Sequence, residues 1–196
     1  MLYFGWLVYQ QVDADWAVLS APRLDLESAL AFVAVGYLLV LLATYWAKPP
    51  ILDQRRDWRA IIATAVAIDA LGLSAQQPVA QPDALAPSAV LLLTGTLLAL
   101  WSALTLGRNF SLLPQARTLV TSGPYRFVRH PMYAGGLLIA LGEVWLRLSP
   151  LVVGLNLVFL AAQLVRLRYE EDLLARTFPE YTAYRKRTSA LIPGIA

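Results

Sequence analysis

Long runs of apolar residues alternate with short polar segments along most of the chain. Four of these runs have the length and polarity of membrane-spanning helices: 28–47, 58–75, 89–106 and 131–148. A fifth run begins at Leu151 and meets no proline before Pro179, which predicts one helix of about 28 residues, roughly 42 Å long. Because the hydrocarbon core is only ~30 Å thick, this helix should leave the membrane near residues 166–172. The pattern predicts an all-α integral membrane protein with about five transmembrane helices.

Residues 1–27 do not fit a membrane span. They open with an apolar, aromatic-rich run at residues 2–9, which is too short to cross the bilayer, and continue with acidic residues. We expect either a segment that lies at the membrane interface or a loosely attached terminus.

Composition and charge placement agree with a membrane protein. Hydrophobic residues make up 58% of the chain and charged residues 15%, against about a quarter in a typical soluble domain. Of the 16 lysines and arginines, all but Arg23 and Arg147 fall on one side of the predicted spans, which the positive-inside rule assigns to the cytoplasm. This placement argues against nucleic-acid binding despite the basic pI. The lack of cysteine excludes disulfides, cysteine–metal sites and a cysteine nucleophile.

The most distinctive polar stretch is GPYRFVRHPMYAGG at residues 123–136. It contains the only histidine, His130, and two prolines, each of which fixes its own φ and pushes the preceding residue towards extended geometry. Its glycines allow backbone or ligand to approach closely. A short, stiff, cationic segment that is rich in tyrosine indicates a binding site for a polar ligand at the membrane surface.

Two polar segments that are far apart in sequence are expected to meet at this surface. The fourth and fifth spans form a hairpin, so residues just before the fourth span should neighbour residues at the end of the fifth. Residues 107–130 and 166–171 therefore lie on the same face of the membrane. The aromatic and cationic tail at residues 178–185 could close over a pocket between them.

Two acidic residues fall inside predicted spans, and each has two interpretations. Asp69 is either a functional group or a side chain near the outer end of its helix that bonds to a neighbour. Glu143 precedes Arg147 by four residues, the favourable order for an ion pair, which favours a structural role. Gly135 and Gly142 share a face of the fourth helix and would permit tight packing against another helix.

Motifs of several other protein classes are missing from the sequence. It contains no glycine-rich dinucleotide fingerprint, no phosphate loop and no serine nucleophile elbow. A single histidine without cysteine argues against a zinc or other metal site. The chain shows neither clear repeats nor several charges within its spans, as a transporter would need.

The polar stretch resembles the signature of the isoprenylcysteine carboxyl methyltransferase family. The resemblance rests on GPYRxxRHPxYxG at residues 123–135, RxRxEE at 166–171 and FPEYxxY at 178–184. It covers the C-terminal half of the chain. The related membrane phospholipid methyltransferases are similar more weakly, mainly through the paired glutamates. Ser149 stands where this family often has asparagine before the proline, a change that turn geometry tolerates.

The resemblance implies an integral membrane methyltransferase that takes S-adenosylmethionine from the cytosol and a lipid-like or prenylated acceptor from the bilayer. It implies that residues 89–196 form a catalytic half with a cofactor pocket on the cytoplasmic face, whereas residues 1–88 hold the N-terminal segment and the first two spans. Arg166 is expected to orient a carboxylate acceptor, and Glu171 to accept a proton from an amine acceptor. No metal is expected. The residues expected at the cofactor are Tyr125, Arg129, His130, Pro131, Tyr133, Gly135, Glu170 and Tyr181, with Arg129 and His130 on its carboxylate.

Several alternatives remain open on the sequence alone. The acceptor is a carboxylate, as in the resembled family, or the amine of a phospholipid such as phosphatidylethanolamine. A hypothesis of another class is a non-catalytic membrane scaffold. Arg166 and Glu170 are four residues apart on one helix, so a plain surface ion pair is the alternative to a role in a site. Arg117, Arg126 and the basic cluster at residues 185–187 are expected to contact lipid headgroups rather than ligand.

Overall fold

The computed structural model describes residues 9, 13, 16, 35–36, 38–41, 43, 50–54, 57–111 and 113–194, and this part of the chain is mostly helical. The helices are α1 (Trp58–Ala75), α2 (Leu85–Leu106), α3 (Pro131–Leu146), α4 (Pro150–Thr177) and the short α5 (Tyr181–Arg187). Two short strands, β1 (Asp53–Gln54) and β2 (Gln115–Ala116), pair antiparallel. Turns of 3₁₀ helix occur at Pro82–Ala84, Gly107–Asn109 and Gly123–Arg126.

Within the described residues, three helical segments are long and apolar enough to cross a membrane: Trp58–Ala75, Pro82–Asn109 and Pro150–Thr177. The protein is an integral membrane protein, as the apolar pattern predicted. The α4 helix has 28 residues, which confirms the expected length of the fifth run. The α2 helix begins at Leu85 rather than at the predicted Ala89, because Pro87 falls in its first turn, where no intrahelical N–H is lost.

The predicted fourth span is shorter in the structure. The α3 helix has 16 residues and ends at Leu146, before the predicted end at residue 148. At 1.5 Å per residue it is about 24 Å long, less than the ~30 Å hydrocarbon core. Most of the predicted first span (28–47) and of the N-terminal segment (1–27) lies outside the described residues, although those described between 35 and 43 are helical.

Helices α2 and α3 pack closely because glycines face each other across their contact. A Cβ atom on Gly95 would lie 2.6 Å from the carbonyl oxygen of Gly135, and a Cβ atom on Gly135 would lie 2.6 Å from that of Gly95. A Cβ atom on Gly142 would lie 2.9 Å from Leu92 Cγ. Small residues let the two backbones approach. The prediction that Gly135 and Gly142 share a packing face is confirmed.

Helices α1 and α4 form a second pair that is built on alanines of α1. Ala63, Ala67 and Ala70 are buried in one cluster with Phe159 and Ala162 of α4. The small side chains of α1 leave room for the Phe159 ring between the helices. A buried polar pair also joins them, since Asn156 Nδ2 of α4 donates to Ser74 Oγ of α1 at 2.8 Å.

The C-terminal end of α3 is fixed by the predicted ion pair. Arg147 Nη1 donates to Glu143 Oε2 at 2.7 Å, and Arg147 Nε donates to the carbonyl oxygen of Gln77 at 2.8 Å. Because Gln77 follows α1, the pair ties α3 to the α1–α2 connection, and the structural interpretation of Glu143 is supported. Asp69, the other acidic residue in a predicted span, is exposed on α1.

The chain after α5 returns to the start of α3. The backbone N–H of Arg129 donates to the carbonyl of Ser189 at 2.8 Å, and that of His130 donates to the carbonyl of Ala190 at 3.0 Å. Val128 and Ser189 form a parallel bridge. These bonds hold the polar stretch and the C-terminal segment together at one end of the helices.

Candidate functional site

A cavity lies between the polar stretch, the loop after α2, the far end of α4 and α5. Its lining combines charged and aromatic side chains with leucines, which suits a ligand with both polar and apolar parts. The predicted site residues that line it are Tyr125, Arg129, His130, Tyr133, Arg166, Glu170 and Tyr181. The expectation that residues 107–130, 166–171 and the tail converge is therefore confirmed.

Pro131 determines where α3 begins and, with it, the position of His130. Proline suits the first helical position, and it disfavours helical geometry in the residue before it. His130 accordingly has φ −126° and ψ 61°. Its imidazole is buried and stacks on the Tyr133 ring, with centroids 5.4 Å apart and planes 14° apart. The His–Pro pair thus directs the only imidazole of the chain towards α4.

Glu171 is surrounded by basic side chains, and we call Glu171, Arg129, His130 and Arg185 the Glu171 cluster. Arg129 Nε donates to Glu171 Oε1 at 2.8 Å, and His130 Nε2 lies 3.3 Å from the same oxygen. Arg185 Nε lies 3.5 Å from Oε2. The side chains of Arg129 and Glu171 are only 9% and 10% exposed, so each depends on the other for compensation of its charge.

Glu170 lies beside this cluster and lines the cavity. Its Oε1 accepts a hydrogen bond from the Tyr133 hydroxyl, and its Oε2 lies 3.8 Å from His130 Nδ1. The Arg166 guanidinium lies 5.1 Å from the centre of the Tyr133 ring, and Arg166 Nη1 donates to Gln163 Oε1 at 2.9 Å. These contacts place a carboxylate and a guanidinium on the same aromatic side chain at the cavity.

Two tyrosines of α5 contribute to the cavity lining with different hydrogen bonding. The Tyr184 hydroxyl donates to the carbonyl of Tyr125 at 2.5 Å, whereas the buried Tyr181 hydroxyl has no hydrogen-bond partner in the described part of the chain. Burial raises the pKa of Tyr184 to about 12. Burial, and to a lesser extent the Glu171 carboxylate, through its charge and as a nearby hydrogen-bond acceptor, also raises the pKa of Tyr181. Both hydroxyls therefore stay protonated at neutral pH, and Tyr181 can donate to a ligand.

Three residues predicted for the site do not line the cavity. Gly135 lies in the contact between α2 and α3, where its Cα faces Gly95. Pro131 is buried at the start of α3. Glu171 contacts the lining residues Arg129 and His130 without lining the cavity itself.

Sequence reasoning missed the lining residues of the loop after α2, among them Asn109, Gln115 and Arg117. The expectation that Arg117 contacts lipid headgroups is corrected by its position. Its Nη2 donates to Gln115 Oε1 at 3.0 Å, and its Nε is buried at the cavity. The pairing of β1 with β2 fixes part of this loop. A strand of two residues has no recognisable sequence pattern, so this pairing could not be predicted.

Most residues that line this cavity lie in a region that is similar to known proteins. The sequence model of the phospholipid methyltransferase family matches residues 84–181, half of the chain. The cobalt-zinc-cadmium resistance protein CzcN of Cupriavidus metallidurans is 37% identical over 99 residues, which cover 50% of this chain and 43% of that protein. The protein-S-isoprenylcysteine O-methyltransferase of Xenopus laevis is 34% identical over 113 residues, which cover 54% of this chain and 39% of that protein. The chain thus spans less than half of the length of these two relatives.

A solved structure, the eukaryotic intramembrane Ras methyltransferase ICMT (isoprenylcysteine carboxyl methyltransferase), aligns with a TM-score of 0.49 and 19% sequence identity. The alignment covers 100% of this chain and 87% of that chain.

The matched region begins just before α2 and ends at Tyr181, so it contains the loop, the polar stretch and both glutamates of the site. The expected similarity to isoprenylcysteine methyltransferases is confirmed by the relative from Xenopus laevis and by one from Oryza sativa that is 31% identical over 113 residues. On the family match, this chain belongs to the phospholipid methyltransferase family.

Proposed function

We propose that this protein transfers a methyl group from S-adenosylmethionine to a carboxylate of a lipid-linked acceptor, such as a prenylated cysteine. The family match and the names of the Xenopus and Oryza relatives support methyl transfer. The observation that carries the proposal is the convergence of basic, aromatic and acidic side chains at one cavity, which Arg129, His130, Tyr133 and Glu170 line and which Glu171 supports through Arg129 and His130.

The residues of the cavity fit S-adenosylmethionine, which supplies the methyl group when it is bound. Its ammonium and ribose hydroxyls need acceptors, and the Glu170 carboxylate is one. The buried Tyr181 hydroxyl is a protonated donor that the described part of the chain leaves without a partner. Tyr125 and Tyr133 line the cavity with aromatic groups, which favour adenine and a sulfonium cation.

The surroundings of Glu171 support a carboxylate acceptor over an amine. An amine must lose a proton during methylation, so it needs a base that is free to accept it. Glu171 instead has Arg129 at one oxygen and Arg185 at the other, and neighbouring cations stabilise its ionised form. A carboxylate acceptor is already ionised at neutral pH and needs only a cation to orient it, a role that we assign to Arg166. Glu171 then acts by positioning Arg129 and His130.

Charge placement supports a cavity on the cytoplasmic face, with the acceptor and membrane lipids approaching from the bilayer. Residues 89–196 would act as the catalytic half, since they supply the residues that line the cavity. Residues 1–88 would support this half through α1, which packs against α4. The described residues contain no group of three or more histidine, cysteine, aspartate or glutamate side chains that could hold a metal ion. The proposal therefore assigns no residue to a metal.

Product analysis tests the proposal directly. Detergent-purified protein is incubated with methyl-labelled S-adenosylmethionine and two acceptors: N-acetyl-S-farnesylcysteine, which carries a free carboxylate on a prenylated cysteine, and phosphatidylethanolamine, which carries an amine. We expect label in a product that releases methanol in alkali, as a methyl ester does. Alkali-stable label on phosphatidylethanolamine would support N-methylation instead. A folded protein that labels neither acceptor would contradict methyl transfer.

A matched pair of variants examines the role of Arg166 in the same assay. Arg166→Gln is expected to raise the KM for the carboxylate acceptor about 10-fold or more, because a hydrogen bond to a charged group is lost. Arg168 is exposed on the same helix and does not line the cavity, so Arg168→Gln should leave the KM unchanged. If both substitutions changed the KM equally, Arg166 would have no specific role in binding the acceptor.

The two tyrosines of α5 provide a second prediction. Tyr181→Phe is expected to lower the affinity for S-adenosylhomocysteine roughly 3- to 10-fold with little loss of stability, because its hydroxyl lies near Glu171 but makes no hydrogen bond of normal geometry within the described residues. Tyr184→Phe should instead cost about 1 kcal/mol of stability, because the carbonyl of Tyr125 loses its donor. Calorimetric titration and thermal unfolding of both variants separate these effects, and the reverse pattern would exclude Tyr181 from the cofactor site.

A further inference from the structure

The loop after α2 forms a second polar side of the cavity. Asn109, Gln115 and Arg117 line the cavity there. Ser111 Oγ donates to Gln115 Oε1 at 3.0 Å, and Arg117 Nη2 donates to the same oxygen at 3.0 Å. Gln115 belongs to β2, which pairs with β1. This pairing fixes the backbone that carries Gln115, and Gln115 in turn holds Ser111 and Arg117 through its Oε1 atom.

Two polar atoms on this side are buried and have no hydrogen-bond partner within the described ranges: Asn109 Oδ1 and Arg117 Nε. Burying a polar group without a partner is costly, and folded proteins satisfy most such groups. One of these atoms is an acceptor and the other is a donor on a cation. A ligand that carries an anion together with an N–H donor would satisfy both.

Arg129, which the resemblance suggested for the cofactor carboxylate, is engaged elsewhere. Its Nε donates to Glu171, and its Nη1 donates to the carbonyl oxygens of Arg185 and Thr188. These bonds hold the end of α5 and the following segment against α4. Only Nη2 of this guanidinium is left without one of these bonds, so a cation at the cavity with fewer protein partners suits a ligand carboxylate better.

We propose that Arg117 and Asn109 bind the amino-acid end of the methyl donor. The carboxylate of that end accepts from the Arg117 guanidinium, and its ammonium donates to Asn109 Oδ1. Both contacts are charge-assisted and would be shielded from water, which makes them stronger than the same contacts at an exposed surface. This inference rests on the proposed function, because it names the part of S-adenosylmethionine that this side of the cavity takes.

Two probes that differ only at this end of the ligand test the assignment. S-Adenosylhomocysteine has the amino-acid end, whereas 5′-methylthioadenosine keeps the adenosine and a thioether but lacks it. Calorimetric titration of the full chain in detergent measures the affinity for both. Arg117→Gln is expected to bind S-adenosylhomocysteine roughly 10- to 100-fold more weakly and 5′-methylthioadenosine as the unmodified protein does. Arg126→Gln is the matched control, since Arg126 is an exposed cation that does not line the cavity.

The outcomes separate this inference from the proposed function. If the unmodified protein binds S-adenosylhomocysteine and Arg117→Gln binds it equally well, the inference fails while the function stands. An unchanged affinity with a raised KM for the acceptor would assign Arg117 to the acceptor and likewise overturn it. If the unmodified protein binds neither probe, the proposed function fails. Should Arg117→Gln not fold, Arg117→Lys, which keeps the charge but loses the Nε–H, must show the selective loss for S-adenosylhomocysteine.

Discussion

Replacing Glu171 by glutamine is expected to lower the free energy of unfolding by about 3 kcal/mol or more. Glutamine keeps the shape of the side chain but removes its charge, so the guanidinium of Arg129, which is 9% exposed, loses its counter-ion. His130 and Arg185 lose the same carboxylate. Because breaking a buried pair leaves an uncompensated charge, the cost exceeds that of one ordinary hydrogen bond. Denaturant unfolding in detergent, followed by tryptophan fluorescence, measures the change.

The same variant should also bind S-adenosylhomocysteine poorly, because Arg129 and His130 line the cavity and depend on Glu171 for their positions. Glu180→Gln is the matched control, because Glu180 is exposed at the start of α5 and the substitution is chemically identical. We expect the control to change the free energy of unfolding by less than about 0.5 kcal/mol. A Glu171→Gln protein as stable as the control would show that the Glu171 cluster does not support the fold.

A methyl group at Gly95 is the second change with a large expected effect. In Gly95→Ala, the new Cβ would lie 2.6 Å from the carbonyl oxygen of Gly135, and this atom belongs to the backbone of the facing helix. This steric clash can be relieved only if α2 and α3 move apart, so we expect the free energy of unfolding to fall by roughly 1–3 kcal/mol. Gly135→Ala should behave alike, because its Cβ meets the carbonyl of Gly95 at the same distance. Thermal unfolding of the purified variants measures both.

Gly72→Ala controls for the intrinsic effect of removing a helical glycine. A Cβ atom there meets nothing within 4 Å. Alanine is the better helix former by roughly 0.5–1 kcal/mol, so this variant should be as stable as the unmodified protein or more so. If Gly95→Ala were equally harmless, the close contact of α2 and α3 would not contribute to stability. The contact matters for the site because α3 carries Tyr133 and begins directly after His130.

The helices and the convergence of the site were predictable because their signals are local. Unbroken apolar length predicted α4, and Pro131 marked the start of α3. The hairpin of α3 and α4 then brought residues 129–133 to residues 166–171 without knowledge of any side-chain contact. Length and proline placement, read from the sequence, therefore determine which segments meet.

The individual roles within the site depend on long-range pairing and could not be read in the same way. Arg129 looked available for a ligand, and only the return of the chain after α5 shows that carbonyl oxygens of Arg185 and Thr188 engage it. Arg117 looked like a lipid anchor, and only the folded loop after α2 shows that it lines the cavity. Gly135 belongs to the signature of the site, yet its Cα faces a neighbouring helix.

Ser189 and Ala190 follow every helix described above in sequence, yet they pair with the backbone that leads into α3. The bonds that hold Arg129 therefore join two segments about 60 residues apart in sequence. Helix packing and completion of the site thus depend on different parts of the chain, because the α2–α3 and α1–α4 contacts include no residue beyond α5. A chain shortened to end at Arg187 is expected to keep these helix contacts and to lose the bonds that fix the backbone before α3.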